Sequence, residues 1–308
     1  MEANILIDDV DGNREAWLEA RKDKLGASEI PIILGLSPFC TPLQLALRKQ
    51  GRLPEQEDND HLFFGRAVEP IVAELFTRKT KIPCRKANRL YQHKSHDFAV
   101  ASPDYFYDGA NGNLELLEIK VTSWTQREKW VDGGCPDTAH IQLIWQLGVL
   151  GLERGTVAGL VGGSPRDLYL PQFTFDASIW TQLLERAGAF MECVRSGKEP
   201  PALAPDSALL TQLKNVEPTK FVALDESADE VVTKFWEERR EIEKLEKLIE
   251  PHKKNLDNAK ARLLQLMGDC GKARAGRFEL QQSVVQRNEY VVKASSYTTL
   301  KVKEVQNG

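Results

Sequence analysis

The sequence predicts an α/β protein with one central mixed sheet flanked by helices, followed by a C-terminal helical arm and a small β unit. Three observations predict it. Strand patterns at residues 105–107, 114–121, 154–161 and 168–175 are interrupted by a helical pattern at 137–151, an order that builds a sheet covered by helices. Asn111-Gly112-Asn113 supplies turn chemistry between the first two strands, and Gly162-Gly163-Ser164-Pro165 does so between the last two. In the tail, apolar residues recur at spacings of three, four and seven, from Val231 to Met267. With 308 residues, 42% of them hydrophobic, the chain can bury one substantial core plus an appendage. The Pro-rich segment from Glu199 to Pro205 marks a boundary zone, and the division expected is a core at 1–225 and an extension at 226–308.

Taken in order, residues 14–39 read as a short helix with Trp17 packed inward, then a Gly26-Ala27-Ser28 turn into another helix. That places Ser28 at a helix N-terminus, where free N–H groups accept a phosphate, with Arg21 as the charged half of the grip. The plainer alternative makes Ser28 a simple cap and Arg21 a surface residue. At residues 64–76, Val68, Ile71, Val72, Leu75 and Phe76 share one buried helical face, and Glu69 lies beside it. Pro70 implies either a helix start or a kink, and Glu69 is a site residue or a surface glutamate. From Thr77 to Lys94 run Arg78, Lys79, Lys81, Arg85, Lys86, Arg89 and Lys94 without an acid, as a DNA-backbone track or a solvated basic edge.

The next segment carries the chemistry. Pro103 keeps Ser102 extended, so Asp104 falls at a strand end or turn before residues 105–107. In the strand 114–121, a period of two puts Glu118 and Lys120 on one face and Leu117, Ile119 and Val121 on the other. Asp104 and Glu118 then converge across the hairpin. Their oxygens are hard ligands suited to Mg²⁺, which keeps several waters. Lys120 beside the ion can orient the attacking water or stabilise charge on phosphoryl oxygens. The bland alternative is a charged face on an edge strand. The helix at 137–151 has Asp137 as its expected N-cap and Gly151 as its C-cap, and Gln142 and Gln146 share a face at i and i+4. Such amides either satisfy buried hydrogen bonds or serve the site. Asp176 caps a further helix running to about Ser196.

With these residues in place, the chain resembles the phage-type exonuclease group of the PD-(D/E)xK nuclease superfamily, the YqaJ-like viral recombinase or lambda-exonuclease-like family. The resemblance covers roughly residues 12–200. It rests on W-x-x-x-R at Trp17 and Arg21 followed by Gly26-Ala27-Ser28, G-x-x-x-E-P from Gly65 to Pro70, S-P-D from Ser102 to Asp104, E-I-K from Glu118 to Lys120, and the glutamine helix. It implies a restriction-endonuclease-like core, with Asp104, Glu118, Glu69 and the Ile119 carbonyl holding metal, Lys120 assisting the nucleophilic water, and Gln142 as a core motif residue. It also implies that Arg21 and Ser28, seven residues apart, hold a 5′-phosphate. Relatives read Q-x-Q where this chain has Gln142-Leu143-Ile144, with Gln146 two residues further, and the chain continues about eighty residues past the family core.

The activity the resemblance implies is Mg²⁺-dependent, with Mn²⁺ as an alternative ion: 5′-to-3′ digestion of one strand at the ends of linear double-stranded DNA, leaving single strand for phage-type recombination. Expected partners are DNA ends, a single-strand annealing protein and further copies of the chain in a ring, a trimer being the form suggested. An endonuclease of the same superfamily and a catalytically inactive DNA-binding or assembly protein are the alternatives.

Net charge of −4 and a pI near 5.9 argue against coating nucleic acid by bulk electrostatics. Cys40, Cys84, Cys135, Cys193 and Cys270 form no C-x-x-C pair, so they read as free thiols in a reducing compartment rather than zinc or iron–sulfur ligands. No leader pattern or apolar run long enough for a membrane span is present, and cytoplasmic residence is the expectation. In the tail, Pro251 is expected to kink or split the helix into an amphipathic hairpin or coiled-coil-like arm that Gly271 ends. Residues 277–286, 290–293 and 300–305 alternate as a small β unit.

Overall fold

In a computed structural model, which describes residues 3–54, 59–110, 112–213 and 221–283, the chain forms two compact units, Met1–Leu213 and Lys214–Gly308. The first begins with strand β1 (Ala3–Ile7), helix α1 (Arg14–Arg21), the short helix α2 (Ile30–Ile33) and helix α3 (Pro42–Lys49). Helix α4 (Asp60–Thr80) leads into strands β2 (Cys84–Lys86), β3 (Leu90–His93), β4 (Val100–Ala101), β5 (Tyr105–Asp108) and β6 (Leu114–Thr122). Helix α5 (Asp137–Leu150) connects β6 to β7 (Arg154–Val161), and β8 (Leu168–Tyr169), β9 (Gln172–Thr174), helix α6 (Ala177–Arg195) and helix α7 (Asp206–Leu213) complete the unit. The second unit holds helix α8 (Ser227–Met267) and the antiparallel hairpin of β10 (Lys272–Ala275) and β11 (Phe278–Gln281).

The expected mixed sheet is present, in the order β2-β5-β6-β7-β8, with β9 also paired to β7. Only β6 and β7 run parallel in it; the remaining pairs are antiparallel. Parallel neighbours need a crossover, and α5 fills it. Helix α5 is buried along most of its length, packing Leu143, Ile144, Trp145 and Leu147 into one core with Leu116 and Val157 of the main sheet. Tyr91 and Ala101, from the smaller antiparallel sheet β1-β3-β4, join the same core, and the Trp145 Nε1–H donates to the Val100 carbonyl at 2.9 Å. Such a helix is apolar on all sides, so its two glutamines need partners. On the opposite face of the main sheet, Val72 and Phe76 of α4 pack with Tyr105, Tyr107, Leu117 and Ile119. Each large side chain so buried contributes about 1.5–3 kcal/mol relative to exposure.

Several local expectations are corrected. Pro70 neither starts nor ends a helix: α4 runs through it, capped by Asn59, whose side chain accepts from the His61 and Leu62 N–H groups. Ile71 is 57% exposed, and Ala73 takes the place expected for it in the buried face. Pro136, not Asp137, is the N-cap of α5, and Asp137 lies in the first helical turn, where its charge still meets the positive helix end. Gly151 does close α5, at φ 65°, and Asp176 caps α6 through the Ser178 and Ile179 N–H groups. The strand expected at 168–175 is broken into β8 and β9 around Pro171, which has no N–H to give to a ladder. Pro251 lies inside an unbroken α8, so that helix does not fold back on itself. Residues 290–293 and 300–305, expected as strands, lie outside the described residues, as does Asn111 of the first turn.

Gly159 on β7 pairs with Lys120 on β6, and the buried Trp130 ring covers it. A Cβ at Gly159 would overlap that ring. Gly159→Ala is therefore expected to lower stability by about 1–3 kcal/mol, the usual cost of overpacking. Thermal unfolding checks this, and an unchanged midpoint would show that Trp130 is free to move aside.

Candidate active site

The site follows from where β5 stops. Its last pair with β6 is Tyr105 with Leu117, so among the described residues β6 has no strand partner on that edge beyond Leu117. Asp104, the residue before β5, covers the gap: its Oδ2 accepts the Ile119 N–H at 2.7 Å. In a strand, the N–H and C=O of one residue face the same edge, so the Ile119 carbonyl also faces the Asp104 side. The expected alternation holds. Leu117 and Ile119 face α4, whereas Glu118 and Lys120 reach α5.

There both glutamines are used. The Lys120 Nζ donates to Glu118 Oε1 at 2.5 Å and to Gln142 Oε1 at 2.7 Å. Gln146 Nε2 donates to Glu118 Oε2 at 2.8 Å, so Glu118 is held through both oxygens while only 4% exposed. The i, i+4 spacing on α5 sets the two amides side by side, one on the lysine and one on the glutamate. Gln146 Oε1 is buried with no partner among the described residues.

The electrostatics show an excess of negative charge. Burial, then the neighbouring Glu118 carboxylate, push Asp104 well above the usual carboxylate range. Burial also lifts Glu69, with Glu118 and Asp11 adding to it against the pull of Lys86. Burial opposes the Lys120 charge, but Glu118 and Asp104 outweigh it and hold the ammonium above its ordinary value. Asp104, Glu118, Lys120 and Glu69 thus share one electrostatic neighbourhood. Beside them Lys86 pairs with Asp11 at 2.6 Å, a contact the sequence reading did not foresee. Cys135, near the start of α5, is pushed up to about 11 by burial and by Asp137, so it is no thiolate at neutral pH.

Among the described residues, no three His, Cys, Asp or Glu side chains are gathered closely enough to enclose a metal ion. The donor chemistry nevertheless fits a hard divalent cation, because carboxylate and carbonyl oxygens are its preferred ligands. The raised values of Asp104 and Glu69 mark charge that such a cation would relieve.

A second polar cluster forms around Arg21. Its guanidinium stacks 4.4 Å from the Trp17 ring centroid and pairs with Glu29 at 3.1 Å. Gly26 makes room for it, since a Cβ there would stand 2.8 Å from Arg21 Nη2. Lys49, almost buried, pairs with the other Glu29 oxygen at 3.0 Å, and Glu29 also accepts the Gly26 N–H at 2.7 Å. Two cations share one carboxylate, and Arg21 Nε is buried without a partner among the described residues. Ser28 is exposed in the single 3-10 turn Ala27–Glu29, whose N-cap is Gly26 rather than Ser28. Glu29 and Lys49 were missed from sequence, although Glu29, three residues after Gly26, has the spacing of a capping box.

Four of the seven cations in the basic run at 77–94 are paired with acids. Arg78 pairs with Glu74, Arg85 with Asp108, Lys86 with Asp11 and Arg89 with Asp8, and Lys79 donates to the Leu168 carbonyl. These pairs weaken its reading as a DNA track.

Residues 16–153 match the model of the YqaJ-like viral recombinase domain, a span that contains Arg21, Ser28, Glu69, Asp104, Glu118, Ile119, Lys120 and Gln142. The chain is 32% identical over 165 residues to the uncharacterized protein YqaJ of Bacillus subtilis (strain 168), a match covering 53% of this chain and 51% of that one. It therefore spans about half the length of that curated relative. Among solved structures, it is similar to an alkaline exonuclease (LHK-Exo) from Laribacter hongkongensis, with a TM-score of 0.49 and 18% identity over 59% of this chain and 93% of that one. A phage-related exonuclease from Haemophilus somnus 129PT matches with a TM-score of 0.41 and 12% identity over 56% and 94% of the two chains.

The Arg21 cluster makes a pH prediction. Burial opposes the Glu29 charge, but Arg21 and Lys49 prevail and hold its carboxyl below the ordinary 4.5. A depressed carboxylate contributes stability that is present above 4.5 and is lost as pH falls through the lowered value. Glu29→Gln should therefore cost about 2 kcal/mol at pH 7, from lost charged hydrogen bonds and an uncompensated pair of cations. That deficit should shrink as denaturation is measured at pH values falling below 4.5. A deficit that stays constant with pH would show that the ion pairs are not its source.

Proposed function

We propose, from the match of residues 16–153 to the model of the YqaJ-like viral recombinase domain, that the chain is a metal-dependent exonuclease. In this reading it digests linear double-stranded DNA from 5′ to 3′ and leaves single strands for recombination. The observation that carries it is the buried network in which Glu118 is gripped by Lys120 and Gln146 while Asp104 is driven above its usual range beside it. A structural ion pair would not need a second, unneutralised carboxylate in the same neighbourhood; a cation site does.

In this proposal Asp104, Glu118, the Ile119 carbonyl and Glu69 hold Mg²⁺, with Mn²⁺ as an alternative. When bound, the ion supplies an activated water and neutralises charge on the phosphoryl group. Lys120, its ammonium fixed by Glu118 and Gln142, orients the water and stabilises negative charge developing on phosphoryl oxygens. Gln142 positions Lys120, and Gln146 positions Glu118. Arg21 and Ser28 bind the 5′-phosphate. The surplus positive charge of Arg21 and Lys49 over Glu29 supports that role. The chemistry lies within residues 1–225, with 226–308 as an extension. A homo-oligomeric ring, a single-strand annealing partner and a cytoplasmic setting belong to the same proposal. Among the described residues no helix is long and apolar enough to cross a membrane.

The test incubates purified protein and Mg²⁺ with 5′-phosphorylated linear duplex and with covalently closed circular duplex. Loss of the linear DNA alone is expected, stopped by EDTA and reduced at least about a hundredfold by Lys120→Ala. Arg21→Ala should slow digestion of 5′-phosphorylated ends more than of 5′-hydroxyl ends. Cutting of the circle would overturn the exonuclease reading in favour of an endonuclease, and full activity in Lys120→Ala would remove the site.

A further inference from the structure

Helix α8 repeats in sevens. Phe235, Ile242, Ile249, Leu256 and Leu263 fall at one heptad position, a, and Val231, Leu245, Ala259 and Leu266 fall at the other, d, where Glu238 and His252 are the exceptions. A straight α-helix drifts about 20° per heptad against such a repeat, so a seam kept strictly in sevens from Val231 to Leu266 suits a supercoiled partner helix rather than a flat surface. Within the second unit the seam is open: Ile242 is 55% exposed, Leu256 70% and Leu266 74%. Pro251, which has no N–H to give to the helix, is exposed at position c, off the seam.

We infer that α8 is an interface for a second copy of this chain, packed as an antiparallel coiled coil. Charge selects the orientation. A parallel, in-register pair would set Lys234 against Arg239 and Glu241 against Glu246 across the g and e flanks, all like-charged. It would also stack Glu238 on Glu238 and His252 on His252 in the d layers. In the antiparallel pair that sets Phe235 opposite Leu266 of the second copy, every a residue meets a d residue. Ile242 then meets Ala259, and Leu256 meets Leu245. In that register Glu241 falls beside Arg262 and Glu246 beside Lys253 of the second copy, against one like-charged pair, Arg239 with Lys260. The two Glu238 side chains are carried toward opposite ends. The exposed Glu241–Lys244 pair within α8 is of a kind that contributes little and can exchange for the new one. This interface is independent of the nuclease reading, because it uses no residue of the candidate active site.

Sedimentation equilibrium of the full chain tests it. The wild type should associate, and Ile242→Asp with Leu256→Asp should halve the mass of the assembly without changing the far-UV circular dichroism of the core. Glu241→Arg alone should weaken association about fivefold by facing Arg262, and adding Arg262→Glu should restore it. A monomeric wild type would overturn the proposal and assign the seam to another protein. Association unaffected by the paired aspartates would overturn it too. Tightening by Glu241→Arg, through relief of Glu241 against Glu246, would overturn the antiparallel arrangement.

Discussion

The candidate site depends on one shared proton donor. The Lys120 ammonium, largely withdrawn from water, is bound by a carboxylate from its own strand and an amide from the crossover helix. A buried charge with one partner removed is costly, by about 3–5 kcal/mol, so strand β6 and helix α5 are held in one relation by the need to keep that lysine satisfied. The same need explains why α5, otherwise apolar, carries two glutamines four residues apart: Gln142 serves the lysine and Gln146 serves the glutamate the lysine pairs with. Parallel pairing of β6 with β7 is what puts a helix over this part of the sheet.

The two polar clusters of the first unit carry opposite imbalances. Around Lys120 stand three carboxylates, Asp104, Glu118 and Glu69, and the Glu118 charge raises the proton affinity of the other two. Around Glu29 stand two cations, Arg21 and Lys49, which lower its proton affinity. Neither imbalance benefits the isolated fold, since unpaired buried charge is destabilising. In the proposed function a divalent cation corrects the first and a phosphate corrects the second.

Much of this was legible in the sequence, for physical reasons that also mark where legibility ended. The period of two from Leu114 to Val121 by itself assigns Glu118 and Lys120 to one face. Asp104 could be located because Pro103 restricts the residue before it. What pattern could not show was the division of labour between Gln142 and Gln146, because it depends on the register of α5 against β6, a tertiary quantity. Glu29 and Lys49 were invisible for the same reason: Lys49 reaches Glu29 from a separate helix, α3. Ile71 was misassigned because five apolar residues on α4 satisfy a helical spacing, while the sheet covers a narrower stripe centred on Val72, Ala73 and Phe76. The basic run looked like a surface track because the acids that neutralise it, Asp8, Asp11 and Asp108, come from distant parts of the chain.

Whether the carboxylates around Lys120 are arranged for a divalent cation is read most directly by calorimetric unfolding of metal-free protein with increasing Mg²⁺. A ligand that binds only the folded state raises the unfolding temperature with its concentration. The wild type should show that rise, and Asp104→Asn, already relieved of a buried negative charge, should start from a higher unfolding temperature and respond little to Mg²⁺. An equal response in the two proteins, or none in the wild type, would show that these carboxylates do not hold the cation.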